Sequence, residues 1–441
     1  MQQIDNIIIG AGPGGYELAA NLCKQGESVV IIERDLPGGT CLNRGCIPTK
    51  CLCATAATVE DIRRASEFGI NTTEFSINYA KSIERMREVI AHLQEGVIAE
   101  LSKATYIKGE ARLLENRIVE VDNHRFQATK RLVLATGSCP AVLPIEGVDL
   151  AMTSDDVLAD DTLPKSIIII GGGVIGMEFA SIFNSLGVDT TVVEFCKEIL
   201  PPFEQEIAKR LRTILSRRGV NIVVGSAVSS IKQSKDGMLS VEYQGKRGST
   251  EICAERVVMA VGRRPVIPEG TQEIGIKLSS KGFIAVDNSM ATNIPGIYAI
   301  GDVNGLSMLA HSAIAQGRVI AENNNTLFNT NCIPSVVFTT PEVAMVGRTS
   351  TQLDNEGVVY RSIKRQFASN GKACAMGEGD GVVKLLVNES DDTILGITIL
   401  GHGASDLIAE ATMLIVNKVP VDKIASRYIH AHPTLSEIFA I

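Results

Sequence analysis

Asn6-Ile7-Ile8-Ile9-Gly10-Ala11-Gly12-Pro13-Gly14-Gly15 sets an apolar run directly against a glycine turn. A helical segment continues through Ala20 and beyond, and Ser28-Val29-Val30-Ile31-Ile32 closes on Glu33. An unbroken apolar run reads as a strand covered on both faces, and strand, turn, helix and strand together read as a parallel unit. Within it the glycines have distinct tasks. Gly10 permits the tight turn, Gly12 lets the backbone approach a pyrophosphate, and Gly15 lets the helix pack close. Glu33, 23 positions after Gly10, stands where a carboxylate can take ribose hydroxyls.

The pattern recurs. Ser166-Ile167-Ile168-Ile169-Ile170 leads into Gly171-Gly172-Gly173-Val174-Ile175-Gly176, a helix to about Leu186, and Thr190-Thr191-Val192-Val193-Glu194. Glu194 again lies 23 positions after its first glycine, so two dinucleotide sites are expected. A carboxylate accepts a free 2′-hydroxyl and repels a 2′-phosphate, so the second site should prefer NAD(H) to NADP(H).

Between the repeats lies Gly38-Gly39-Thr40-Cys41-Leu42-Asn43-Arg44-Gly45-Cys46-Ile47-Pro48-Thr49-Lys50. A disulfide between cysteines five apart closes too short a loop to restrain the unfolded chain much. As a redox couple it is better placed. Pro48 suits a helix's first turn, and a thiolate at position 46 would meet the positive end of that helix. A catalytic Cys41–Cys46 pair is the expectation.

Composition bounds the rest. The chain has 441 residues, 45% of them hydrophobic and 21% charged, as in ordinary globular proteins of about three domains. Its net charge of −8 argues against nucleic acid or an anionic membrane surface as partner. No apolar stretch reaches the ~18 residues of a membrane span, and Met1-Gln2-Gln3-Ile4-Asp5 lacks the features of a signal peptide. A cytoplasmic protein with mostly reduced cysteines is expected, and no His, Cys and carboxylate cluster has metal-ligand spacing.

Residues 51–105 read as largely helical, with a second helix from about Ile77 to Leu101. Tyr106 to Leu134 reads as a small antiparallel sheet ending at Ala135-Thr136-Gly137. Later come Val261-Gly262-Arg263-Arg264-Pro265, the strand Ile297-Tyr298-Ala299-Ile300 before Gly301-Asp302, and a small-residue helix after Leu309-Ala310-His311. From Ile333 onward β runs such as 382–387 and 394–399 alternate with helices, and the tail reads His430-Ala431-His432-Pro433-Thr434-Leu435-Ser436-Glu437. Thr434 to Glu437 fits a capping box, with the glutamate bonding back to the cap's N–H.

These pieces, in this order, resemble the class I pyridine nucleotide–disulfide oxidoreductases over essentially the whole chain. Glu194 and Leu309-Ala310-His311 look like the lipoamide branch more than the glutathione branch. The resemblance implies an α/β fold of two Rossmann-like domains, for FAD and NAD, plus a C-terminal α+β dimerisation domain. The expected boundaries are 1–143 and 266–330 for FAD, 144–265 for NAD and 331–441 for dimerisation. It further implies that Cys41 exchanges with substrate sulfur and that Cys46 faces the flavin. His432 would be the acid–base, oriented by Glu437 and reaching the site from the other subunit of a homodimer. FAD contacts would come from Gly10, Gly12, Gly14, Gly15, Glu33, Thr40, Lys50, Ala111, Thr136, Gly137, Asp302, Leu309, Ala310 and His311. Glu178 would stand near Lys50 and, with Gly171, Gly173, Ile175, Gly176, Glu194 and Gly262, belong to the NAD side. The implied reaction oxidises a protein-bound dihydrolipoyl group with NAD⁺, the partner being a lipoyl-bearing domain of a 2-oxo-acid dehydrogenase or glycine-cleavage complex. The alternative is NAD(P)H-dependent reduction of another, glutathione-like disulfide.

Overall fold

The computed structural model describes residues 1–246, 248–322 and 328–440. The chain divides into two compact units.

The first unit comprises Met1–Cys51, Ala80–Ala141 and Arg263–Thr330. Its sheet is built on β1 (Gln2–Ile9), with β2 (Val29–Glu33) parallel on one side and His124–Leu134 parallel on the other. Ile7 and Ile9 join Val30 and Ile32 in one core, while Ile8 joins Ile31, Val133 and Leu18 and Leu22 of α1 (Pro13–Lys24) in another. The end of the strand, Ile7–Ile9, is therefore apolar at every position because both of its faces are covered there. Each such burial contributes about 1.5–3 kcal/mol.

The stretch expected as an antiparallel sheet divides. Ile118–Val121 pairs antiparallel with the first part of His124–Leu134, and Arg112–Leu114 with Ile118–Val121. Thr105–Lys108 instead runs parallel to β2 as the sheet's edge. A parallel return needs a long crossover, and α2 (Gly39–Arg44), α3 (Cys46–Arg64) and α4 (Tyr79–Glu100) lie in the connection.

The second unit comprises Leu52–Tyr79, Val142–Gly262 and Asn331–Ile441. Its parallel sheet runs Asn221–Val224, Asp189–Glu194, Ser166–Ile170, Arg256–Met259, and the antiparallel strands Ala227–Gln233, Leu239–Gly245 and Gly248–Ala254 follow. A five-stranded sheet from Ser335–Val337 to Ile394–Leu400 shares its core with the helix Ala404–Val416. Among the described residues no helix is long and apolar enough to cross a membrane.

Candidate active site: two nucleotide cradles, a dithiol and a histidine pair

The first glycine turn is fixed by contacts that admit no side chain. A Cβ on Gly10 would fall 2.2 Å from the Ala135 carbonyl oxygen, and φ there is +106°. A Cβ on Gly15 would fall 1.9 Å from the Gly10 oxygen, and one on Gly14 would press on Ala313 at 3.1 Å. Gly12 differs. It caps α1 with ordinary extended angles (φ −71°, ψ 179°), and a Cβ there would meet nothing within 4 Å.

Glu33, buried at the end of β2, accepts the Ala11 N–H at 2.7 Å and the Asp35 N–H at 2.8 Å. Burial pushes its carboxyl up, and the Ala11 bond works against that. Glu33 was expected to take ribose hydroxyls. Here it also braces the turn, each oxygen keeping a second lone pair for such a donor.

The second turn repeats this geometry. Gly171 (φ +110°) would place a Cβ 2.4 Å from the Ala260 oxygen, and Gly176 one 2.0 Å from the Gly171 oxygen. Gly173, extended like Gly12, faces open space, as does Gly262. Buried Glu194 accepts the N–H of Gly172 and, at 2.6 Å, that of Cys196. Ile175 lies in the first turn of the helix Val174–Ser185. Glu178, buried on the same helix, accepts the Phe338 N–H at 3.0 Å.

The cysteine loop is seated on the first cradle. The Gly38 N–H donates to the Ala11 carbonyl at 2.8 Å, and a Cβ on Gly39 would lie 2.7 Å from the Gly12 Cα. Cys41 sits in α2, that helix ends at Gly45, and α3 begins at Cys46. The Cys41 and Cys46 side chains lie within hydrogen-bond reach of each other. The Cys46 hydrogen bond and burial push the Cys41 thiol up, while the Lys50 charge pulls the other way.

Other expected flavin contacts lie in the same unit. Thr136 Oγ1 donates to the Val266 carbonyl at 2.5 Å, and Gly137 turns with φ +67°. Asp302 accepts from Ser138, which in turn accepts from Arg263. Ala111 is buried in the sheet core, Leu309 and Ala310 lie at the start of the helix Ala310–Glu322, and His311 is exposed on its first turn. Thr40 is half-buried within α2. The Ser138–Arg263 link was not legible in the sequence, its members being 125 positions apart.

In the second unit, His432 is 80% exposed and its Nδ1 lies 2.9 Å from Glu437 Oε1. The other oxygen, Oε2, accepts the Thr434 N–H at 2.8 Å, which is the expected capping box. The Thr434 bond first, then His432, hold the Glu437 carboxyl below its usual value. His430, two positions before it, is turned inward and bonds Glu410 at 2.7 Å. Among the described residues no group of three His, Cys, Asp or Glu is arranged to hold a metal.

Two dinucleotide cradles, one carrying a close cysteine pair, define a nucleotide-dependent disulfide oxidoreductase. Residues 4–317 match the pyridine nucleotide-disulphide oxidoreductase family and residues 333–440 its dimerisation domain, and the chain belongs to that family. Dihydrolipoyl dehydrogenase of Geobacillus stearothermophilus is 36% identical over 99% of this chain and 94% of its own length. That of Chlamydia muridarum is 37% identical over 100% and 96%. Among solved structures, the HOCl-induced flavoprotein disulfide reductase RclA of Escherichia coli, as its Cu(II) complex, superposes with a TM-score of 0.87. It is 27% identical and covers 100% of this chain and 98% of its own.

The enzyme uses FAD and NAD. The residues fit both. Gly12 and Gly173 have backbone angles open to any residue, and a Cβ on either would meet no protein atom within 4 Å, so the space beside each at a helix N-terminus suits a bound phosphate.

Proposed function

We propose that this enzyme is a dihydrolipoyl dehydrogenase acting as a homodimer on a lipoyl-bearing domain. The observation that carries the reading is the His432–Glu437 pair: Glu437 holds Nδ1 and leaves Nε2 of an exposed ring to take a thiol proton. The full-length likeness to dihydrolipoyl dehydrogenases supports the substrate class.

The partner subunit's His432 takes the proton of one substrate thiol, and the thiolate attacks Cys41 of the oxidised pair. The Cys41–Cys46 bond breaks and Cys46 leaves as thiolate. The partner's His432 hands that proton to solvent and takes the proton of the second substrate thiol. The second sulfur attacks the first, closing the lipoyl disulfide and releasing Cys41, to which the partner's His432 returns the second proton. Substrate has lost two electrons and two protons, and the cysteine pair holds the electrons. Glu33, Lys50 and Asp302 would hold FAD, which would supply the two-electron chemistry linking the cysteine pair to NAD⁺. Glu194 selects NAD⁺ over its 2′-phosphorylated form. A thiol pair that must cycle also suits a cytoplasmic setting.

Turnover of dihydrolipoamide with NAD⁺ should far exceed any reduction of glutathione disulfide with NADH or NADPH. A second reading, NAD(P)H-driven reduction of another disulfide, is favoured by the likeness to RclA and would reverse that ratio. A Cys46→Ser variant with full NADH–lipoamide turnover would sink both readings.

A further inference from the structure

We propose that Ser138 and Arg263 are positioning residues for the flavin, acting through Asp302. This rests on the assignment of Asp302 to the flavin above. Arg263 Nε lies 2.7 Å from Ser138 Oγ, and its Nη2 lies 2.8 Å from the Ser138 carbonyl oxygen. Ser138 Oγ in turn lies 2.5 Å from Asp302 Oδ2, and the Arg263–Asp302 separation is 3.8 Å.

The chemistry orders this relay. A guanidinium has donors and no acceptor, so Arg263 can only donate to the hydroxyl. Ser138 has one proton to give, and it goes to Asp302 Oδ2. That leaves Asp302 Oδ1 to accept from a hydroxyl of a polyol such as the flavin's ribityl chain. Burial pushes the Asp302 carboxyl up, and the bond from Ser138 and then the charge of Arg263 oppose it. A carboxylate held in one rotamer by these partners is the better acceptor.

The two arms of the Arg263 fork separate this role from a structural one. Strands Ser138–Pro140 and Arg263–Pro265 pair through their backbones, and Nη2 holds a backbone oxygen. Ser138→Ala removes only the hydroxyl and leaves both of those intact. A purely structural role therefore predicts no effect on the flavin.

FAD release from the holoenzyme, read as recovered flavin fluorescence, tests this, with visible circular dichroism of the bound flavin beside it. Ser138→Ala should release FAD about tenfold faster or more, with an altered flavin signal and an unchanged melting temperature of the flavin-free protein. Ser138→Thr, which keeps the hydroxyl, should restore retention. Wild-type release from Ser138→Ala, with fast release from Asp302→Asn, overturns the proposal. Wild-type release from Asp302→Asn overturns instead the assignment beneath it. Should Ser138→Ala not fold, Arg263→Lys decides. One ammonium cannot hold both Ser138 oxygens in the fork's geometry, so wild-type FAD retention there also overturns the relay.

Discussion

Glu437 gives His432 one of its two carboxylate oxygens: Oε1 meets the ring at 2.9 Å, while Oε2 closes the cap on Thr434 at 2.8 Å. The cap is what aims the carboxylate. A half-buried glutamate would otherwise sample several rotamers, and bonding Thr434 confines it beside the histidine. His432→Gln should lower dihydrolipoamide turnover by about 10²–10⁴-fold. Glu437→Gln can still cap but carries no charge toward the ring, and we expect a smaller loss. NADH-driven ferricyanide reduction needs no thiol proton and should survive both changes. Loss of that activity in His432→Gln counts against an acid–base role.

Gly12 and Gly15 should separate ligand binding from folding. Gly12→Ala places its methyl in open space and should give a folded protein of ordinary melting temperature that retains FAD poorly. Gly15→Ala forces a Cβ to 1.9 Å from a backbone oxygen and should yield little folded protein. Equal behaviour of the two in a melting experiment would contradict the reading of Gly12 as a ligand-facing glycine.

Glu194 braces the N–H groups of Gly172 and Cys196, and the selection of NAD⁺ proposed for it is a separate load that can be tested. Glu194→Ala should raise the NADH KM and shift the kcat/KM ratio of NADH to NADPH toward NADPH by about tenfold or more. If both cofactors weaken equally, the residue braces the turn without selecting.

Lys384 lies inside a strand of the dimerisation domain, buried, 2.9 Å from buried Glu204 and 3.0 Å from Glu206. Burial raises Glu204, but the N–H and hydroxyl of Ser350 and then Lys384 outweigh it and leave the carboxyl below its usual value. Burial lowers Lys384, and its two carboxylate partners outweigh that and raise it. Lys384→Met strands the Glu204 charge and should cost about 3–5 kcal/mol in denaturant unfolding. Adding Glu204→Gln should return most of it.

The same network sets a pH window. A depressed carboxylate stabilises above its unfolded value of about 4.3 and loses this as pH falls through the folded value. A raised lysine stabilises below about 10.4 and loses this as pH rises through the folded value. Melting temperatures should be level between about pH 5 and 10 and fall on both sides. Doubly substituted Glu204→Gln, Lys384→Met protein should show a flatter profile.

The two nucleotide turns, the cysteine pair and the Thr434–Glu437 cap were legible because each is local. Gly10, Gly12 and Gly15 announce a turn by spacing alone, and so do Gly171, Gly173 and Gly176. Buried strands show as Ile7-Ile8-Ile9 and Ile167 to Ile170, since a strand covered on both faces has no polar positions. Long-range pairing left no such mark. Thr105–Lys108 reads like any short strand, and only its place beside β2 makes it the edge of the parallel sheet. Gly39 against Gly12, Arg263 on Ser138 and Lys384 in a Val-Val-Lys-Leu-Leu strand depend on partners 27, 125 and 180 positions away. Spacing along a chain encodes which residues share a turn or a face. Which carboxylate neutralises a buried lysine, or which arginine orients a serine, is decided only when the elements pack.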